Sequence, residues 1–202
     1  MLTVVALNWN DYLGRGMQYV TRMRNMVERN LTVPHEFIEV TERDIRTDKT
    51  GWFVKLDLLR MFPGDVLYLD LDVVITANID ALVRLAQTDR TKIWARDDWS
   101  YSIVNPQSGR EATINSSVLL WSGYKDLSRL TPAMLRDTHG DQGIITQLFW
   151  PAGIGLLPNH LVQSYKYGMC RNGEPPAPIV VMHGEPKNHQ IEHEPFVQEH
   201  WR

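Results

Sequence analysis

The sequence predicts one α/β domain built on a mostly parallel central sheet flanked by helices. Three observations carry that reading. Residues 3–7 form an apolar run, residues 17–30 place Met17, Val20, Met23 and Val27 at helical spacing, and residues 35–40 alternate as a strand. Strand, helix, strand in sequence is a βαβ unit, whose default is a parallel pair. Residues 66–75 are a second apolar run, interrupted by Asp70 and Asp72 where a buried strand would emerge from a sheet. Finally, short apolar runs end repeatedly in polar groups, at Asn8, Asp70 and Asp72, Asp97, Asn115 and His183. A parallel sheet brings such ends to one edge, where its binding crevice lies.

Composition bounds the function classes. A chain of 202 residues is long enough for one domain with a real core and short for two. Its 43% apolar and 22% charged residues are those of an ordinary globular protein. A net charge of −3 gives no electrostatic case for nucleic acid. The single cysteine, Cys170, excludes an internal disulfide and any multi-cysteine zinc site, and fits a reducing cytoplasm. No stretch approaches about 18 consecutive apolar residues, so no transmembrane segment is expected. Residues 1–7 lack the basic start of a signal peptide. Oligomeric state leaves no signal, and peripheral attachment to a membrane through the tail stays open.

The remaining elements follow in order. The first strand breaks into the polar and aromatic loop Asn8-Trp9-Asn10-Asp11-Tyr12, where Tyr12 either stacks on a base or covers the sheet edge. Residues 52–62 have the apolar face of a buried helix, stopped by Pro63-Gly64. On that helix Lys55 either reaches a phosphate or is a solvated lysine. Asn78 reads as the N-cap of a helix running to Ala86, with Asp80 in its first turn. Residues 92–95 are a strand ending in Arg96-Asp97-Asp98, acidic groups that either grip sugar hydroxyls or make a turn. A loop over residues 99–114, containing Pro106 and Gly109, lies where it could fold over the site. Residues 115–121 are a strand polar at one end and apolar at the other. Thr131-Pro132 opens a helix with proline at its first position. His139-Gly140-Asp141-Gln142-Gly143 precedes the amphipathic run 144–150, and residues 179–182 are the last buried strand, delivering His183-Gly184-Glu185-Pro186-Lys187. The final residues read as a tail packed by Phe196 and Trp201.

The Asp-x-Asp pair sets the chemistry. Two carboxylates one residue apart repel, and burial raises the cost of ionising both. A hard divalent cation such as Mn²⁺ or Mg²⁺ removes the conflict and presents itself to a diphosphate. His183 is typed to complete such a site, because imidazole binds Mn²⁺ beside carboxylates. Gly184 permits close backbone approach, and Lys187 supplies positive charge for a phosphate.

Residues 66–75, Asn115-Ser116-Ser117-Val118-Leu119-Leu120-Trp121, Gly140-Asp141-Gln142 and His183-Gly184-Glu185-Pro186-Lys187 resemble, in order and spacing, small bacterial and phage glycosyltransferases of the GT-A fold. The similarity is to the family 8 group of glycogenin and the lipopolysaccharide galactosyltransferases. It extends to residues 51–56 and 164–166, and so takes in nearly the whole chain as one domain, with residues 187–202 as a tail. The resemblance implies a metal-dependent transferase using a nucleotide-sugar donor, a UDP-sugar by preference, on a glycan or other small acceptor. It implies Asp70, Asp72 and His183 as ligands of Mn²⁺ or Mg²⁺. Leu7, Asn8 and Tyr12 would sit by the nucleotide, and Lys55, Asp97 and Asn115 by donor sugar or phosphate. Lys187 would face the diphosphate, and Asp141 and Gln142 the anomeric carbon. Retention of anomeric configuration is implied as well. Two departures stand out. The family spaces its terminal motif His-x-x-Gly-x-x-Lys, whereas His183 and Gly184 are adjacent. Its common Asp-Gln-Asp is Asp141-Gln142-Gly143 here.

Two other classes compete. The run Asp70-Leu71-Asp72 followed by Val73, Val74, Ile75 and Thr76 is similar to the nucleophile and acid pair of haloacid-dehalogenase-type phosphatases, with Asp70 as covalent nucleophile. That motif sits on a first strand, whereas a complete βαβ unit precedes it here. A non-catalytic nucleotide-sugar-binding protein on the same fold is the third.

Overall fold

The computed structural model describes residues 1–49, 51–107, 112–136 and 140–202. Six strands form the main sheet: β1 (Leu2–Leu7), β2 (His35–Val40), β3 (Asp65–Leu69), β5 (Ile93–Asp97), β6 (Ile114–Ser122) and β7 (Ile154–Leu157), in the order β2-β1-β3-β6-β5-β7. β1 pairs parallel with β2 and β3, and β5 pairs parallel with β7. β6 runs antiparallel to both its neighbours, β3 and β5. The sheet is thus mostly parallel as predicted, with one reversed strand at its centre. That reversal matters, because the polar end of β6 is its beginning. Only an antiparallel β6 brings Asn115 to the edge where β1, β3 and β5 finish.

Three further strands, β4 (Val73–Ile75), β8 (Val162–Ser164) and β9 (Ile179–Val181), form a second sheet in the order β4-β9-β8. The apolar run 66–75 is therefore two strands in two sheets, with Asp70, Leu71 and Asp72 as the step between them. His183 follows β9, so it reaches the site from the smaller sheet and not from the main one.

Alternation places the core on both faces of the main sheet. Val4 and Ala6, Leu67 and Leu69, and Val118 and Leu120 face one apolar cluster. Val5, Val66 and Tyr68, and Leu119 and Trp121 face the other. Over the first face lies α1 (Gly16–Asn30), which buries Tyr19, Val20, Met23, Met26 and Val27. Its methionines are core, as their spacing predicts, although Met17 is exposed. Each of the buried large side chains contributes roughly 1.5–3 kcal/mol through burial. The helix starts where the Asp11 carboxylate accepts from the Gly16 N–H (2.8 Å) and ends at extended Leu31, ahead of Pro34.

Three local predictions are corrected. Residues 52–62 do not make one helix: a 3-10 turn, Gly51–Val54, leads into the single turn α2 (Lys55–Leu58). The backbone then tightens through bonds from Leu59, Arg60 and Met61 to residues three positions back. Pro63 disfavours helical geometry at Phe62, and the Leu59 carbonyl accepts from the Lys125 N–H instead. Asn78 does not cap its helix directly. α3 (Asp80–Gln87) begins two residues later, and the Asn78 side chain accepts from the Asp80 N–H (3.0 Å) in a short turn. Thr131-Pro132 opens only a 3-10 turn, Met134–Arg136. His139 and Gly109 lie outside the described residues. α4 (Gly140–Phe149) follows, and α5 (Pro195–His200) closes the tail, with Trp201 buried beneath Arg22 as predicted for a packing residue.

Candidate active site

The carboxyl ends of β1 and β3, the start of β6, the first turn of α4 and the segment after β9 surround a cavity of about 630 Å³. Ten of the twelve predicted site residues line it: Leu7, Tyr12, Lys55, Asp70, Asp72, Asn115, Asp141, Gln142, His183 and Lys187. Trp52, Leu71, Tyr101, Ser116 and Ser117 line it too and were not singled out from sequence. Asn8 and Asp97 are not on its wall.

Both absent residues support loops next to it. The Asn8 amide donates to Glu39 (2.8 Å) and accepts from the Tyr12 N–H (3.1 Å), which fixes the loop carrying Tyr12. Asp97 accepts from the Ser102 hydroxyl and the Ile103 N–H, both at 2.7 Å, and so organises the turn that carries Tyr101.

Charges inside the cavity are paired. Lys55 is neither solvated nor free: buried, its ammonium stands 3.0 Å from Asp70 and 3.1 Å from Asp141. Burial acts to lower its pKa, and Asp141 and Asp70 together outweigh that and raise it. Asp70 also accepts from the Tyr68 hydroxyl (2.6 Å). Burial pushes its carboxyl up, but Lys55 and the Tyr68 bond hold it below the ordinary range. Asp72 goes the other way. Burial and the neighbouring Asp70 push it up, against the Lys187 ammonium and the Tyr12 hydroxyl, which both contact it. Tyr12 therefore spends its hydroxyl on Asp72 (3.0 Å), and burial beside Asp72 and Asp70 raises its own pKa. His183 lies between Trp99 and Tyr167, nearly parallel to both, and a ring nitrogen meets the Ser164 hydroxyl at 2.7 Å. Burial is the main reason its pKa is lowered, which favours the neutral imidazole.

The donor set suits a divalent cation in type and charge. Asp70, Asp72 and Asp141 against Lys55 and Lys187 leave one net negative charge on the wall, with His183 neutral. A diphosphate would meet repulsion there unless a cation joined it. Among the described residues, however, no three His, Cys, Asp or Glu side chains are gathered as a ready ligand set. Lysine ammoniums hold the two aspartates instead. One oxygen of Asp141 is buried, with the Lys55 ammonium 3.1 Å away as its neighbour.

This architecture is similar to that of several solved structures. Galactosyltransferase LgtC, in complex with donor and acceptor sugar analogs, matches over 92% of this chain and 88% of its own, with a TM-score of 0.63 and 18% identity. The chain has the GT-A fold. The glycosyltransferase GlyE of Streptococcus pneumoniae TIGR4 matches over 93% of this chain, but this chain spans only 56% of GlyE (TM-score 0.64, 17% identity). Mouse xyloside xylosyltransferase 1 matches over 91% and 97% of the two chains, with a TM-score of 0.59 and 13% identity. No family model matches the sequence, and no curated protein matches it. The cavity lies at the sheet edge that the sequence pointed to. Among the described residues, no helix is long and apolar enough to cross a membrane.

Proposed function

We propose that the chain is a metal-dependent glycosyltransferase that moves a sugar from a nucleotide-diphosphate sugar to an acceptor hydroxyl. UDP is the nucleotide favoured by the family 8 resemblance, and retention of configuration is the outcome it favours. One observation carries the reading: a single polar cavity at the strand ends collects paired aspartates, two lysines and Asp141-Gln142. The GT-A fold supports it.

In this reading Asp70 and Asp72 hold Mn²⁺ or Mg²⁺, with His183 the remaining candidate ligand on the same wall. Bound there, such a cation would supply Lewis-acid stabilisation for a diphosphate leaving group. Lys187, already at Asp72, adds preorganised positive charge for that diphosphate. Lys55 fixes Asp70 and Asp141 relative to each other, so the metal end and the sugar end keep their spacing. Asp141 and Gln142, on the same wall, orient the transferred sugar at its anomeric carbon. The bond from the anomeric carbon to phosphate oxygen breaks, the bond to the acceptor oxygen forms, and the acceptor proton leaves with the diphosphate. Leu7 and Tyr12 flank the nucleotide, and Asn115 the donor sugar.

The phosphatase reading is not favoured: Asp70 would be its nucleophile, and the Asp70 carboxylate is held by Lys55 and Tyr68. Titrating UDP calorimetrically with and without Mn²⁺, on the wild type and on Asp72→Ala, tests the proposal. The expected result is binding at about micromolar Kd that needs both metal and Asp72. Metal-independent silence toward UDP and GDP alike would overturn it.

A further inference from the structure

We infer that Trp52 is the stacking platform for a pyranoside acceptor. The inference rests on the transferase reading and names the class of its second substrate. Trp52 is 74% exposed, the most exposed of the seven tryptophans, yet it lines the cavity. A large indole left open is unusual in a chain that buries Trp94, Trp121 and Trp201. One side of the indole has a neighbour. Trp52 belongs to the 3-10 turn Gly51–Val54, and it lies against Gly140, where a Cβ would meet ring and side-chain atoms at 3.8 and 3.9 Å.

That position sets what the indole faces. Gly140 immediately precedes Asp141 and Gln142 in the first turn of α4, and α4 packs on β6. Leu7 and Tyr12 belong to β1 and its loop, on the far side of β3 in the sheet order. The nucleotide end and the indole therefore lie on opposite sides of Asp70. Between them the wall carries Asp70, Asp141, the Lys55 ammonium that bridges the two, and the Gln142 amide. A pyranose presents hydroxyls around its rim and an apolar C–H face, so it matches a site with acceptors on one wall and an exposed aromatic face on the other. A flexible aliphatic or peptide hydroxyl offers no flat apolar face for the indole to cover.

The test uses the full chain, with methyl β-D-galactopyranoside and methyl β-D-glucopyranoside as probes. Saturation-transfer NMR reads binding with and without UDP and Mn²⁺, on wild type, Trp52→Ala and Trp52→Phe. Expected are transfer to ring C–H protons, about tenfold weaker pyranoside binding in Trp52→Ala, and substantial retention in Trp52→Phe. UDP affinity should change by less than about twofold, and the melting temperature should hold, since the side chain is exposed. Undiminished pyranoside binding in Trp52→Ala would overturn the inference, as would pyranoside silence in every protein. A tenfold loss of UDP affinity would overturn it too, because the indole would then serve the base. Failure of UDP and metal to bind is a separate result that removes the transferase reading, while the arm without UDP still decides the role of Trp52.

Discussion

Lys187 and Asp72, 115 positions apart in the chain, meet as an ion pair in the cavity wall. Asp72 is buried and already pressed by Asp70, so removing its cation leaves a carboxylate that cannot ionise cheaply. Lys187→Ala should destabilise the protein by roughly 2–4 kcal/mol, somewhat below the fully buried case because the lysine is partly exposed. Mn²⁺ should restore much of that loss if the cation replaces the ammonium. Urea melts with and without Mn²⁺ check both halves of the statement.

Lys55 carries a heavier structural duty, because it bridges Asp70 and Asp141 at 3.0 and 3.1 Å from a buried position. Lys55→Met should cost about 3–5 kcal/mol by leaving two carboxylates uncompensated. Lys55→Arg is not a rescue, since a planar fork does not fit where a compact ammonium sits. Denaturant unfolding of both variants measures this; a cost under about 1 kcal/mol for Lys55→Met would contradict the bridge.

Asn8 supports the site without lining it. Asn8→Ala frees the Tyr12 N–H and should reduce UDP affinity about fivefold, the weight of one hydrogen bond, through a looser Tyr12. Calorimetry against UDP with Mn²⁺ reads the change. Asp97→Asn should leave that affinity within about twofold, as Asp97 acts on the turn carrying Tyr101.

Asp80 gives a pH signature far from the cavity. The Thr32 hydroxyl, aided by the Thr32 N–H (2.8 Å), holds its carboxyl below the ordinary range. A folded-state pKa below the unfolded one contributes stability that is present above the unfolded value and lost as pH falls through the folded one. Wild type should therefore lose stability on the acid side, below about pH 4, more steeply than Asp80→Asn. Near neutral pH the variant should be about 1–3 kcal/mol less stable. Urea melts from neutral to acid pH check the slope.

The central sheet was legible because its strands carry their own signals. Apolar runs at β1, β3 and β5 each end in a polar residue, β6 begins with one, and period-two alternation sorts them onto two cores. The reversal of β6 was written only as a polarity, Asn115 at its head and Trp121 near its foot, which does not say which way a strand points. β8 is three residues, Val162–Ser164, too short to show alternation. The second sheet was hidden for that reason, and with it the route by which His183 arrives. Residue types told that Asn8 and Asp97 belonged near the crevice, but not that their side chains turn to Glu39 and Ser102. Trp52 escaped notice because an aromatic within an apolar stretch reads as core, and only the break of that stretch into a 3-10 turn leaves it outside.

All six strands of the main sheet lie within residues 2–157, whereas the groups that fasten Asp72 come much later. Lys187 takes its carboxylate, and the Asn188 amide, donating to the Asp72 carbonyl (3.0 Å) and accepting from Trp201 (3.1 Å), takes its backbone. β9 supplies the partner that β4 needs immediately after that same aspartate. During synthesis the main sheet is thus complete well before the wall of its cavity is. A nascent chain halted near residue 178 would own the main sheet and lack the clasp on Asp72.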